Sequence, residues 1–176
     1  MKHKPFFHRI SGFLAALALT LMATHAGVAM AADQPVAKPK NDVIKVVYHA
    51  DFADPRRFSA MLTNINNMVS VYQSQLADYD IRIVFVSYGI RFVTRDPLRG
   101  TPFAEDAALA ERRENLLGRL QTLHDTFDVK LELCGITREQ VGLDAKKLIP
   151  GVQIVPSGVA RIVELERQGF AYLKIE

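Results

Sequence analysis

The sequence predicts an α/β fold in which a mainly parallel, five-stranded sheet is covered by helices on both faces. Short runs rich in apolar and β-branched residues alternate with longer amphipathic stretches along the chain. Most of these runs are apolar at successive positions, which is typical of parallel strands that are buried on both sides. The alternation continues to a fifth strand, and strands that alternate with helices pair in parallel through crossover connections.

The first predicted elements are a strand over Val43–Tyr48, a long helix and a second strand over Ile81–Val86. Asp54 and Pro55 favour the start of the helix, because Asp caps the free N–H groups of a first turn and Pro fits its first position. Apolar residues then recur at steps of three and four over about six turns, which predicts one buried helix face. This face consists of Phe58, Met61, Leu62, Ile65, Met68, Val69, Tyr72 and Leu76.

The remaining elements are less evenly spaced. Residues Ile90–Pro102 give no clear pattern, because a strand-like alternation is followed by Asp-Pro and Arg-Gly pairs that indicate a loop. We expect a capping box at Thr137 and Gln140 to open a short helix that ends near Ile149. The other expected elements are a helix over Phe103–Asp128, strands over Val129–Cys134 and Val152–Val155, a helix from Ser157 to a C-cap at Gly169, and a last strand over Ala171–Ile175.

The first 31 residues have the pattern of a secretory signal peptide. Basic residues precede an apolar stretch, Phe13–Met22, that is too short to span a bilayer comfortably, and Ala29–Ala31 supplies the small residues of a cleavage site. We therefore expect residues 1–31 to be removed and the mature protein to be periplasmic or secreted, without a stable membrane span. An uncleaved N-terminal anchor is the alternative. Residues 32–42 predict a flexible linker to a domain over residues 43–176.

The charge balance argues against a nucleic-acid-binding protein. The whole chain has 22 basic and 19 acidic residues. The signal peptide holds three of the basic residues and none of the acidic ones, so 19 of each remain and the mature protein is near neutral. Without an excess of positive charge, electrostatic binding to a phosphate backbone is not expected. Two histidines (His49 and His124) and one cysteine remain, which disfavours a dedicated structural zinc site.

The candidate site lies where the predicted strands end, because ligands of open α/β sheets bind beyond the carboxyl ends of the strands. His49 follows the first predicted strand, Tyr88 the second, and Cys134 with Gly135 the third. We expect Thr137, at the start of the next helix, to bring helix N–H groups near the sulfur, and Gly135 to leave room for a substrate. Other residues at these strand ends are Ala50, Asp51, Ser87, Gly89, Ser157 and Gly158.

Cys134 is the only cysteine, and its role has three interpretations. A thiol at a helix N-terminus is stabilised as the thiolate, which lowers its pKa and makes it nucleophilic. A free cysteine at a strand end is also often a small buried core residue. In an oxidising compartment, an unpaired cysteine can instead link two chains. His49 and Tyr88 are candidate ligand-binding residues, although structural roles in hydrogen bonding and packing also fit them.

Four groups of residues in the domain form a combination that is typical of one protein family. They are Lys45–His49, Asp54-Pro55 with Asn64 and Asn67, Cys134–Thr137, and Val155–Val159 followed by Gly169–Tyr172. Together these segments resemble the DsrE/DsrF-like family, from about Val43 to Ile175, although many relatives have His-Gly where this chain has Tyr88-Gly89. The resemblance implies a flavodoxin-like three-layer domain that assembles into trimers or hexamers and needs no metal or organic cofactor. It also implies that Cys134 carries a persulfide and exchanges sulfur with donor and acceptor proteins, as in the sulfur-relay members.

The leading hypothesis is an exported, homo-oligomeric protein that carries or transfers sulfane sulfur on Cys134, as a carrier or as a sulfurtransferase. Helix N–H groups would hold the thiolate, and His49, Tyr88, Gly135 and Thr137 would line the ligand site. The alternative is a non-catalytic periplasmic module that binds a small ligand or assembles into an oligomer, with Cys134 as inert packing. An intermolecular disulfide through Cys134 is a third hypothesis.

Overall fold

Five parallel strands form the central sheet of the computed structural model, which describes residues 43–176. The strands are β1 (Ile44–Ala50), β2 (Tyr79–Phe85), β3 (Lys130–Cys134), β4 (Val152–Val155) and β5 (Ala171–Leu173), in the order β4-β3-β2-β1-β5 across the sheet. The helices are α1 (Pro55–Ser74), α2 (Ala107–Phe127), α3 (Gly135–Gln140) and α4 (Gly158–Arg167), with 3₁₀ helices at Ser87–Phe92 and Ala145–Lys147. The expected α/β fold is confirmed. The predicted signal peptide and linker lie outside the described residues.

The connections place helices on both faces of the sheet. From β1 to β4 the strands step in one direction, and α1 and α2 pack together on one face. The chain then returns from β4 to β5 at the other edge. Because parallel crossovers are right-handed, this reversal moves α4 to the opposite face, where it contacts β1, β2 and β3. Within residues 43–176, none of the helices is both long and apolar enough to cross a bilayer.

Two apolar cores lie on the two faces of the sheet. The larger core lies beneath α1 and α2, where the buried ring of Phe58 stacks on Phe92 with ring centroids 4.0 Å apart. The smaller core lies beneath α4 and contains Val47, Val84, Ile162, Leu165 and Phe170. Burying one such side chain contributes about 2 kcal/mol. Since few residues form the smaller core, α4 is held by much less apolar burial than α1 and α2.

The start of α1 is confirmed, but its apolar face is shorter than expected. Oδ1 of Asp54 accepts the backbone N–H of Arg56 at 2.7 Å, and Pro55 occupies the first helical position. The helix ends at Ser74. Leu76 follows with a φ of +51° and is 94% exposed, so it does not belong to the buried face.

Helix α2 begins at Ala107 rather than at the expected Phe103. Asp106 is the N-cap, and its Oδ1 accepts the N–H of Leu109 at 2.9 Å. Its other carboxylate oxygen pairs with the buried guanidinium of Arg91 at 2.6 Å. The same carboxylate therefore caps the helix and compensates a buried positive charge, which fixes the helix start at this residue.

The segment before α2 is an ordered loop, and much of the strand-like alternation from Ile90 lies in the 3₁₀ helix Ser87–Phe92. Arg113 of α2 is buried and donates to the carbonyl oxygens of Arg91 and Thr94 at 3.0 and 2.6 Å. Its Nε also pairs with Glu105 at 2.6 Å. The Arg113 side chain thus gives two backbone carbonyl oxygens the hydrogen-bond partners that such groups usually find in regular secondary structure.

The expected capping box at Thr137 is wrong. β3 continues into α3 without a loop, so Cys134 is the N-cap and Thr137 lies in the first turn. The helix also ends at Gln140 instead of near Ile149. Gly142 follows with a φ of +63°, a conformation that ends helices and that residues with a Cβ rarely adopt.

Several strand bounds also differ from the expected ones. β1 extends to Ala50, so His49 lies within the strand rather than after it. β5 ends at Leu173 instead of Ile175. β5 is an edge strand, and its three residues pair only with Val46–Tyr48 of β1.

Candidate functional site

The chain leaves β3 towards one face of the sheet and leaves the neighbouring strand β4 towards the other. Cys134 lies at the point where the two paths diverge. The connection that begins with α3 supplies Leu143 and Ile149 to the larger core, whereas α4, which follows β4, packs on the smaller core. Cys134 is the last residue of β3 and is paired with Val155 of β4. A crevice at such a switch point is where ligands bind in open α/β sheets.

The Cys134 thiol is buried but surrounded by hydrogen-bond donors. Its residue is only 4% exposed, and burial alone would raise the pKa of the thiol. The N–H groups of Gly158, Thr137 and Ile136, together with the Thr137 hydroxyl, outweigh burial and lower this pKa from its ordinary value of 9.0. Gly158 begins α4, whereas the other donors belong to the first turn of α3. Two helix N-termini therefore stabilise the thiolate, which is the nucleophilic form.

Thr137 links the sulfur to the end of β2. Its side chain is buried, and its Oγ1 accepts the backbone N–H of Ser87 at 3.0 Å. Because the oxygen accepts this hydrogen bond, the hydroxyl hydrogen is available to donate to the Cys134 sulfur. Ser87 itself has a φ of +52°, which is uncommon for a residue with a side chain.

Two glycines allow backbone segments to approach the site. A Cβ on Gly158 would lie 2.5 Å from Cγ2 of Val86 and 3.0 Å from Cβ of Cys134. A Cβ on Gly135 would lie 3.0 Å from the carbonyl oxygen of Val155. The space beside Gly135 is therefore filled by the connection from β4 to α4, and not left to a substrate as the sequence suggested.

Tyr88 lies next to the site in the chain and at the protein surface. It follows Ser87 in the 3₁₀ helix and is 39% exposed. Its ring makes an edge-on contact with Phe103, with centroids 5.1 Å apart. The loop before α2 therefore supports this ring at the surface.

His49 belongs to a separate polar cluster. Its Nδ1 lies 3.0 Å from the hydroxyl of Tyr172, and its Nε2 lies 3.9 Å from Asp51, which also pairs with Lys174 at 2.9 Å. Burial lowers the pKa of His49, with Asp51 acting in the opposite direction. Since β2 lies between β1 and β3, His49 is about 10 Å or more from Cys134 across the sheet. Of the candidate residues, the structure thus brings together Cys134, Gly135 and Thr137.

Three apolar side chains on the elements that meet near Cys134 are exposed at the protein surface. Ile136 in α3 is 60% exposed, Ile154 in β4 is 42% exposed, and Val159 in α4 is 60% exposed. Ile136 and Val159 lie in the first turns of the two helices whose N-termini meet at the sulfur. Ile154 lies beside Gly135.

A surface cavity of about 270 Å³ lies beside the first turn of α4. Its lining consists of Val155, Pro156, Ser157, Ala160, Arg161 and Glu164. Cys134 is not part of this lining, so the cavity adjoins the crevice without reaching the thiol. Within the described part of the chain, no three His, Cys, Asp or Glu side chains cluster in a way that could hold a metal ion.

The structure gives three residues roles near the site that the sequence did not predict, although Ser87 and Gly158 were expected at this edge of the sheet. Gly158 donates its N–H to the sulfur, and Ser87 donates to Thr137. Neither role has a sequence signal, because both depend on backbone conformation. Glu132 is buried two residues before Cys134. A charged residue within an otherwise apolar strand does signal a buried partner.

The chain is similar to one protein family and to solved structures. Residues 12–175 match the model of the DsrE/DsrF-like family. The solved structure of MTH1491, a protein of unknown function from Methanobacterium thermoautotrophicum, has a TM-score of 0.57 and 27% identity over 74% of this chain and 98% of that chain. The ychN protein from E. coli has a TM-score of 0.43 and 15% identity over 76% of this chain and 100% of that chain. No curated protein matches. Because the family match covers most of its length, the chain belongs to the DsrE/DsrF-like family.

Proposed function

We propose that the protein carries sulfane sulfur as a persulfide on Cys134 and passes it to an acceptor thiol. The observation that supports this most directly is the lowered pKa of a thiol that receives N–H groups from two helix N-termini. Membership of a family that is similar to sulfur-relay proteins supports the same chemistry. Cys134 also lies at the switch point of the sheet, where a domain of this kind would bind a ligand.

The proposed reaction consists of two exchanges. In the first, the Cys134 thiolate attacks the outer sulfur of a donor persulfide, R–S–SH. A new S–S bond forms to Cys134, the S–S bond of the donor breaks, and the donor leaves as the thiolate R–S⁻. In the second, an acceptor thiolate attacks the outer sulfur on Cys134, becomes a persulfide, and restores the Cys134 thiolate. Sulfur is transferred without net oxidation, so no external oxidant is needed.

The donors around Cys134 would serve both exchanges. In the resting protein they stabilise the attacking thiolate, and in the second step they stabilise the same thiolate as the leaving group. The Thr137 hydroxyl and the Gly158 N–H approach from different helices, so they can hold the anion while its outer side is attacked. Tyr88, half-exposed nearby, would contact the donor or the acceptor. His49 takes no part in the proposed reaction, because it lies in a separate polar cluster.

The burial of Cys134 determines how a reactant would reach it. A 4% exposed residue reacts slowly with solutes unless α3 and α4 separate at their N-termini. The exposed apolar side chains of Ile136 in α3 and Val159 in α4 would favour opening within a contact to a donor or acceptor protein. Transfer from protein to protein is therefore the form of the reaction that we propose.

We further propose that the protein is exported to the periplasm or secreted and acts as a homo-oligomer. The predicted signal peptide over residues 1–31 supports export. Resemblance to trimeric and hexameric family members supports the oligomer.

A transfer experiment tests the proposed carrier function. The purified protein is loaded with inorganic polysulfide, freed of excess reagent, and mixed with a cysteine-containing peptide as acceptor. Intact mass spectrometry should show the added 32 Da leaving the protein and appearing on the peptide. The Cys134→Ser variant should neither load nor transfer. A loaded protein that keeps its sulfur in the presence of excess acceptor would contradict the carrier function.

The burial of Cys134 also supports a second candidate function, a ligand-binding or assembly module with an inert cysteine. In that case Cys134→Ser should lower the free energy of unfolding while leaving oligomer size and ligand binding unchanged. Burial also disfavours an intermolecular disulfide, because the two Cβ atoms of such a bond must approach to about 4 Å. Non-reducing electrophoresis tests this third hypothesis, which requires a covalent dimer that reductant abolishes.

A further inference from the structure

A buried carboxylate lies beneath α4, close to the Cys134 site. Glu132 is 1% exposed and lies on β3, two residues before Cys134, so both side chains project from the same face of the sheet. Nη1 of Arg82 donates to its Oε1 at 2.8 Å. Arg161 donates to both oxygens, from Nε to Oε2 at 2.8 Å and from Nη2 to Oε1 at 3.1 Å. The carboxylate is thus fully paired.

This ion pair joins α4 to the sheet near the sulfur. Arg161 is the fourth residue of α4 and lies about one turn from Gly158. Its backbone N–H bonds to the carbonyl oxygen of Ser157 at 2.9 Å, so the guanidinium is attached to the first turn of the helix. The position of the Gly158 N–H over Cys134 therefore depends on the same turn that Glu132 holds.

Stability alone does not account for a charged pair at this position. Replacing a buried ion pair by apolar residues is often neutral or stabilising, because the cost of removing charges from water offsets their attraction. The smaller core already holds α4 through Ile162 and Leu165, but apolar contacts are not directional. A bidentate arginine–carboxylate pair is directional and fixes both rotation and translation of the helix.

We propose that Glu132 and Arg161 are positioning residues for the Cys134 site, because their bidentate ion pair holds the N-terminus of α4 against the sulfur. This inference rests on the proposed function of Cys134 as a reactive thiol. It assigns the two residues no contact with a donor or acceptor. Their effect on Cys134 acts through the first turn of α4.

The removal of Glu132 should shift the pKa of the Cys134 thiol in one direction if Glu132 positions α4, and in the other if it acts only through its charge. Glu132 is a negative charge near the thiolate, so its removal should lower the measured thiol pKa if charge alone mattered. If Glu132 positions α4, its removal should displace the Gly158 N–H and raise that pKa. The charged side chains on the elements packed against Cys134 include Arg82, Glu132, Arg138, Glu139, Arg161 and Glu164.

The test measures the rate of Cys134 alkylation by iodoacetamide against pH, by intact mass spectrometry of the purified protein. For Glu132→Leu, we expect the half-maximal pH of alkylation to rise by about 1, which is a tenfold smaller thiolate fraction at a given pH. This midpoint reports the thiol pKa, whereas the absolute rate also depends on how often the buried site opens. Glu166→Leu removes an exposed acid from the same helix and should react like the wild type.

Arg161→Lys provides the second, milder variant. It keeps the positive charge but replaces a bidentate fork by a single donor group. Electrostatics predicts no change in the half-maximal pH of alkylation, whereas positioning predicts a higher value than in the wild type. Arg167→Lys, at the exposed end of α4, is the matched control. If Glu132→Leu does not fold, as judged by near-UV circular dichroism, Arg161→Lys decides the question.

The outcomes separate this inference from the proposed function. A wild-type half-maximal pH and wild-type sulfur loading in both variants, or a lower half-maximal pH for Glu132→Leu, would overturn positioning and leave the carrier function standing. A lowered melting temperature with unchanged alkylation would likewise show a purely structural pair. A wild-type protein that does not load sulfur, and whose half-maximal pH of alkylation is not below that of a free cysteine, would overturn the carrier function, and positioning with it.

Discussion

The hydroxyl of Thr137 makes two contacts, one with the fold and one with the sulfur. Its oxygen accepts the N–H of Ser87 at 3.0 Å and so fastens α3 to the end of β2. Its hydrogen lowers the pKa of the Cys134 thiol. The same side chain thus connects the packing of α3 with the reactivity of the cysteine.

Thr137→Val should lower both stability and thiol reactivity. Valine has the shape of threonine but leaves the Ser87 N–H without its acceptor, which costs about 1–3 kcal/mol of unfolding free energy. The measured pKa of Cys134 should rise, since the variant lacks the hydroxyl donor. Urea denaturation and the pH dependence of alkylation measure the two effects.

Thr137→Ser is the matched control, because it keeps the hydroxyl. It should retain most of the wild-type alkylation rate while losing some stability through the missing methyl group. Equal alkylation rates for Thr137→Val and the wild type would contradict the role of the hydroxyl at the sulfur.

Single residues differ in how far the sequence predicted their roles. Cys134 is recognisable because it is the only cysteine and follows an apolar strand. Thr137 was assigned to the site for the wrong reason, as a cap, because the sequence does not reveal that β3 continues directly into α3. His49 also occurs at a strand end, but the order of the strands places it two strands from Cys134. The sequence alone does not give this order.

At the scale of elements, the N-termini of α3 and α4 meet at the sulfur from opposite faces of the sheet. Their meeting requires a residue without a side chain at the start of α4, because Gly158 lies against Val86 and Cys134. The small core and the Glu132–Arg161 pair then hold α4 in this position.

Gly158→Ala should therefore push α4 away from the sheet. Its Cβ would lie 2.5 Å from Cγ2 of Val86, so the helix or the valine must move. We expect a loss of about 1–3 kcal/mol of unfolding free energy, typical of overpacking. The half-maximal pH for alkylation of Cys134 should rise as the N–H of α4 retreats. Thermal denaturation and alkylation rates measure these effects.

Gly118→Ala in α2 is the control for the glycine substitution itself. No atom lies within 4 Å of a Cβ at Gly118, so alanine should stabilise the helix by about 0.5–1 kcal/mol and leave Cys134 unaffected. If Gly158→Ala and Gly118→Ala changed the unfolding free energy and the alkylation of Cys134 in the same way, close packing at Gly158 would be contradicted.

The helices and strands were predicted best where local signals are strong. Asp54-Pro55 marks the start of α1, because capping and proline geometry act within one turn. The start of α2 was missed because it depends on Asp106 pairing with Arg91, 15 residues earlier in the chain. Boundaries that depend on distant side chains leave no local pattern.

At the scale of the whole molecule, the reversal of direction between β4 and β5 creates the site. It sends α4 to the face opposite α1 and α2, and it leaves a crevice between β3 and β4. The alternation of strands and helices predicted the layers. The position of the reversal is a property of the tertiary fold, and only the family resemblance indicated it from the sequence.

The most direct test of sulfur carriage is intact mass spectrometry of the protein after incubation with polysulfide, beside Cys134→Ser. We expect an addition of about 32 Da, or a multiple of it, that reductant removes and that the variant lacks, because a stabilised thiolate attacks sulfane sulfur. An unmodified wild-type protein whose thiol reacts only after denaturation would contradict sulfur carriage and identify Cys134 as a core residue.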